Sequence, residues 1–124
     1  MRIELADHRY TREMRLRHQA DFDRVHQSGT YAADDMLVIR ASLNDQGVTR
    51  LGVSLSRKVG NAVTRNRWKR LVREAFRLER DQLPASLDLV VRPRRGAMPN
   101  STAIRQSLRH LVQRIARRLH EADR

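Results

Sequence analysis

The stretch from Leu51 to Arg80, LGVSLSRKVGNAVTRNRWKRLVREAFRLER, constrains the fold more than any other part of this chain. Its first residues read as a buried strand. Gly60 permits a tight turn, Asn61 suits a helix N-cap, and Leu83-Pro84 breaks the helix that follows from about Ala62 to Arg80. At about 100° per residue, Trp68, Leu71, Val72, Ala75, Phe76 and Leu78 fall in one arc. Asn66, Lys69, Arg70, Arg73, Arg77 and Arg80 cluster opposite. The apolar arc has to be buried against another layer, and the basic arc lacks the interleaved acids of an ordinary solvated face. Ten basic and two acidic residues lie between Arg50 and Arg80. A rigid strand, turn and helix so charged can grip a phosphate backbone with little ordering.

The flanking sequence supplies the rest of a single domain, residues 1–124. Residues 1–17 are rich in arginine and poor in periodic apolar residues, so they read as a mobile basic arm on a globular core spanning 18–121. Ala20, Phe22, Val25 and His26 share one face of a short helix from near His18, with Gly29 as its C-cap. Tyr31-Ala32 is a candidate edge strand. Met36–Leu43 reads as a longer one, and Asn44-Asp45-Gln46-Gly47 turns the chain into Val48–Ser56 at hairpin distance. Gly52 marks a point where another backbone comes close. Leu87–Val91 reads as a buried strand ending in Arg92-Pro93-Arg94-Arg95-Gly96. Asn100 or Ser101 can cap a last helix carrying Ile104, Leu108, Leu111, Val112, Ile115 and Leu119 at helical spacing. Its Arg105, Arg109, Arg114, Arg117 and Arg118 read as a solubilising face. The order α-β-β-β-α-β-α describes an α+β fold, a two-layer sandwich.

A formal charge of +12 points to a polyanionic partner. Nucleic acid fits better than membrane, because no apolar run approaches the roughly 20 residues of a spanning helix. All the basic residues but Lys58 and Lys69 are arginine, which suits bidentate phosphate contacts and equally suits a compositional bias of the source genome. The chain has no cysteine, hence no disulfide or thiolate chemistry. Its N-terminus lacks a hydrophobic secretion segment, so a cytoplasmic location is expected.

Catalytic motifs are missing. His8, His18, His26, His110 and His120 have no metal-ligand spacing, and neither a phosphate loop nor a serine elbow occurs. Asp34-Asp35 reads as a turn or an edge-protecting feature at a strand start rather than a metal site. No catalytic residue and no protein-held metal is therefore expected. Arg57, Lys58, Arg65, Arg67, Lys69, Arg70 and Arg73 instead converge on one helix end, where free N–H groups and the helix dipole favour phosphate. DNA and RNA are not separated by composition, although a strand before the basic helix excludes a helix-turn-helix.

The run from Arg57 to Arg77, with Arg65-Asn66-Arg67 at its centre, closely resembles the signature of the bacterial ribonuclease P protein subunit. Ala20-Asp21-Phe22-Asp23-Arg24-Val25, Gly29 and Leu51-Gly52-Val53-Ser54 also resemble that family, so the similarity covers roughly residues 16–119. The resemblance implies a small mixed sheet with a left-handed β-α-β crossover, the ribosomal protein S5 domain 2-like arrangement. It implies an accessory subunit of a ribonucleoprotein that removes the 5′ leader of precursor tRNA, with catalysis and Mg²⁺ belonging mainly to the RNA and substrate. Partners would be the catalytic RNA and precursor tRNA, with no membrane and no protein partner required. Arg57, Lys58, Asn61, Arg65, Asn66, Arg67, Lys69, Arg70 and Arg73 would dock on the catalytic RNA. Phe22, His26, Leu37, Ile39 and Arg40 would face the leader. The family often carries aromatics at the position of His26 and along Met36–Ser42, where this chain has His26, Leu37, Val38, Ile39 and Arg40. The alternative is a structural RNA-binding protein of ribosomal type.

Overall fold

A computed structural model describes residues 10–122. Among these residues three α-helices and four strands follow in the order α1 (Gln19–Ser28), β1 (Thr30–Ala33), β2 (Leu37–Leu43), β3 (Arg50–Val53), α2 (Ala62–Glu79), β4 (Leu87–Pro93) and α3 (Ser101–Ala122). The strands form one mixed sheet in the spatial order β1-β2-β4-β3. β1 with β2 and β2 with β4 are antiparallel, and β3 with β4 is parallel. α2 connects that parallel pair, which is the β-α-β unit expected of the fold.

The turn after β2 does not make a hairpin, contrary to the sequence reading. β4 comes between β2 and β3, since Leu87, Asp88, Leu89 and Val91 are buried and a strand covered on both faces belongs at the centre. Asn44 fastens the turn to this strand. Its side-chain amide donates to Asp88 Oδ1 at 2.8 Å, and its backbone N–H donates to the Ser86 carbonyl at 2.8 Å.

Alternation along the strands sends Leu37, Ile39, Ala41, Leu51, Leu87, Leu89 and Val91 to one face. There they join Trp68, Val72, Ala75 and Phe76 of α2 and Ile104, Leu108, Leu111, Val112 and Ile115 of α3 in the core. Helix α1 lies on the opposite face but covers only part of it, leaving a cleft. Gly29 ends α1 in an extended conformation (φ −71°), so no left-handed cap is involved. A Cβ there would lie 2.2 Å from the Val25 carbonyl oxygen, which explains the glycine.

Two buried carboxylates join these layers. Glu79, at the end of α2, receives Arg105 at 2.9 Å and Arg109 at 2.7 Å from α3. Those arginines therefore clamp helix to helix and are not simply a solubilising face. Asp88 in β4 receives Arg50 at 2.7 Å and also pairs with Arg24 of α1.

Residues 1–9 of the expected arm lie outside the described residues, but from Tyr10 to Arg17 the reading of a mobile arm needs correction. Tyr10 stacks edge-on against Phe76, with centroids 5.6 Å apart, and its hydroxyl donates to the Leu51 carbonyl at 2.9 Å. Leu16 is 5% exposed, and its N–H donates to that same carbonyl at 3.0 Å. Alternating apolar residues Tyr10, Met14 and Leu16 supply the anchors, too sparse for a periodic signal. The segment covers the edge at β3.

Candidate nucleic-acid interface

The basic helix begins as its sequence requires. Gly60 adopts φ 149°, and Asn61 then caps α2 by accepting the Thr64 N–H at 2.9 Å. Trp68, Val72 and Phe76 bury one side of α2, which fixes the opposite side outward as a row. Asn66, Lys69, Arg70 and Arg73 line one shallow groove of about 390 Å³ with Tyr10, Glu74 and Arg77. The stripe's basic end is shorter than the helical wheel suggests. Arg77 is held by Glu74 at 2.6 Å, and Arg80 is turned toward Asp81 and the Met14 sulfur.

Among the described residues, Arg57, Lys58, Arg67, Lys69 and Arg70 have no ion-pair or side-chain hydrogen-bond partner. The Arg65 Nε–H is buried without a hydrogen-bond partner. Cations left without carboxylates keep their charge available for phosphate. Arg57, Asn61 and Arg67 are exposed around the N-terminal end of α2, outside the groove. Tyr10 is the addition that sequence reading missed. Burial raises its pKa, with the nearby positive charges of Arg73 and Arg15 acting against that rise, so the phenol remains a neutral donor at neutral pH.

A second cleft, about 440 Å³, opens between α1 and the uncovered part of the sheet. Phe22, His26 and Arg40 line it as expected, joined by Gln19, Asp23, Val53, Ser54 and Val90. Leu37 and Ile39 do not. Both are 0% exposed and face the core beneath α3, because strand alternation places them on the other side of β2 from Arg40. The glycine at 52 is also explained differently from expectation. A Cβ there would lie 2.6 Å from the Phe22 ring, so an aromatic side chain, and not another backbone, occupies the space.

Ser54 also borders a third hollow, about 520 Å³, where Lys58 meets Arg92, Arg94 and Arg95. The cleft on the sheet and this basic hollow thus meet at Ser54. The Arg92–Gly96 run was legible as a charge cluster, but only the β4 position brings it beside Lys58. The acidic pair behaves as a turn. Asp34 Oδ1 accepts the N–H groups of Met36 and Leu37, each at 2.9 Å, and the Ser107 hydroxyl at 2.9 Å. That carboxylate is committed to structure, and no group of three or more metal-ligating side chains gathers among the described residues.

Known proteins resemble this chain in sequence and in fold. The family described as Ribonuclease P matches residues 10–116. The ribonuclease P protein component of Brevibacillus brevis is 41% identical over 105 residues, covering 83% of each chain. That of Desulfatibacillum aliphaticivorans is 37% identical over 108 residues, covering 86% of this chain and 92% of its own. The solved RNase P protein from Thermotoga maritima superposes with a TM-score of 0.75 at 33% identity, covering 82% of this chain and 96% of its own. That from Staphylococcus aureus gives 0.72 at 35%, covering 83% and 94%.

Proposed function

This chain belongs to the ribonuclease P protein family, and from that premise we propose that α2 docks on the catalytic RNA while the cleft under α1 holds the 5′ leader of precursor tRNA. As a ribonuclease P protein component, its partner is the ribonuclease P RNA. The observation that carries the division of labour is that Arg67, Lys69 and Arg70 on α2 have no ion-pair partner among the described residues and lie on a different surface from the cleft that Phe22 lines. Arg57, Lys58, Asn61, Arg65, Asn66, Arg67, Lys69, Arg70 and Arg73 serve the first surface. Phe22, His26 and Arg40 serve the second, where Phe22 offers a ring face and Arg40 a cation.

Cleavage and its Mg²⁺ ions are assigned to the RNA and the substrate. Supporting this, Glu79 and Asp88 spend both carboxylate oxygens, and Asp34 its Oδ1, on internal donors. The protein's work is to lower the repulsion between two polyanions and to hold the leader in register. A ribosomal-type structural role is set aside by the family match.

Reconstitution with the cognate catalytic RNA at low Mg²⁺ tests the reading. Added protein is expected to raise the rate of leader removal and to tighten binding of precursor over mature tRNA. An inert protein that leaves both unchanged would remove the proposal. Substituting Arg65→Ala together with Lys69→Ala is expected to weaken binding to the catalytic RNA and reduce its salt slope by about 1 to 2. An unchanged slope in a salt titration would take those residues out of the interface.

A further inference from the structure

The sheet face that floors the cleft at Arg40 and Val90 carries a row of directly opposed residues that continues past it and crosses all four strands. Tyr31 of β1 lies opposite Arg40 of β2, Arg40 opposite Val90 of β4, and Val90 opposite Gly52 of β3. Opposed residues in a sheet project from the same face, so the four form one line. The Phe22 ring covers Gly52 at one end. Tyr31 stands at the other. With strands about 4.8 Å apart, the line is about 14 Å long, room for more than one nucleotide.

Tyr31 is unusual among the aromatics of this chain. Trp68 and Phe76 are buried and Tyr10 and Phe22 are half-buried, whereas Tyr31 is 44% exposed. Its ring is not loose. The Arg40 guanidinium lies 5.4 Å from its centroid, and Arg118 of α3 donates to its backbone carbonyl at 2.5 Å. An exposed aromatic ring with a cation stacked on it, on an otherwise highly charged protein, offers the two surfaces that an unpaired base and its phosphate require.

We propose that Tyr31, with Arg40 stacked on it, is a second base-stacking position at the β1 end of the cleft. The leader strand then runs across the sheet from Phe22 to Tyr31. This inference rests on the reading of the cleft as the leader site and extends it onto an edge strand. Arg40 stands beside Tyr31, and Val90 separates it from the Gly52 position that the Phe22 ring covers.

The test uses the protein reconstituted with its catalytic RNA, with precursor and mature tRNA as probes. Tyr31→Ala is expected to weaken precursor binding about five- to tenfold with mature tRNA affinity unchanged. Tyr31→Phe should retain wild-type affinity, and Tyr31→Leu should not. An abasic nucleotide moved along the leader should match the loss in Tyr31→Ala at one position and have no further effect in that variant. Equal precursor affinity of Tyr31→Ala and wild type, full activity of Tyr31→Leu, or the lack of any coupled leader position would each overturn the proposal. Phe22→Ala separates the two levels. If it loses leader-dependent affinity and Tyr31→Ala does not, the β1 extension alone falls; if neither loses it, the leader reading of the cleft falls as well.

Discussion

Gly52 shows how much a single residue decides here. It lies in β3 with the Phe22 ring over it, so even one methyl group would meet that ring at 2.6 Å and the Leu16 side chain at 3.1 Å. Gly52→Ala is therefore expected to push Phe22 out of place and destabilise the fold by about 1–3 kcal/mol. Leader-dependent affinity should fall while affinity for the catalytic RNA persists, measured by comparing precursor with mature tRNA and by direct RNA titration. Equal losses on both surfaces would show that the cleft and α2 are not independent. The sequence marks this glycine as a close approach of another backbone, whereas the group that approaches is a side chain from α1, which no local pattern around Gly52 announces. Leu37 and Ile39 were likewise misjudged at this scale. Apolar Val38 on the cleft side of β2 blurs the alternation that would tell the cleft face from the core face, and only Arg40 and Ser42 betray it.

Elements set by local signals were the most legible. Helix α2 follows from its apolar period, its glycine turn and its cap, and the structure places the Asn61 cap where the sequence implied. Asn61→Ala is expected to lower stability by about 1 kcal/mol, and Asn61→Asp to lower it less, as read in thermal or urea unfolding. An unaffected Ala variant would mean that the dipole and tertiary packing alone hold the first turn. Strand pairing was less legible because its partners are distant in sequence. The turn at Asn44–Gly47 has hairpin chemistry, yet the adjacent place is taken by a strand from beyond α2. The ordered stretch from Tyr10 to Leu16 was missed for a similar reason, since its anchors are contacts with Leu51 and Phe76 and not a repeating pattern.

At the scale of the whole molecule, stability is tied to two carboxylates that sequence alone presents as ordinary surface acids. Burial would raise the Asp88 pKa, but hydrogen bonds from Arg50, Asn44 and Arg24 hold it below its usual value. Arg109, with Arg105, holds the Glu79 carboxyl low against its own burial. A lowered folded pKa stabilises the fold fully above the unfolded values of about 3.9 and 4.3, and the contribution is lost as pH falls through the lower folded values. Unfolding temperature is thus expected to drop on acidification below about pH 4. Asp88→Asn should be less stable at neutral pH and show a shallower acid dependence; an acid profile like the wild type's would remove Asp88 from that role. The sheet order has one more consequence, for synthesis. Among the strands, β3 pairs with β4 alone, and β4 also completes the pairing of β2. A nascent chain that has displayed the whole basic helix still lacks its central strand. It acquires the assembled binding surface only after Leu87–Pro93 has left the ribosome, so a product truncated before that point carries the charge for RNA without the architecture that directs it.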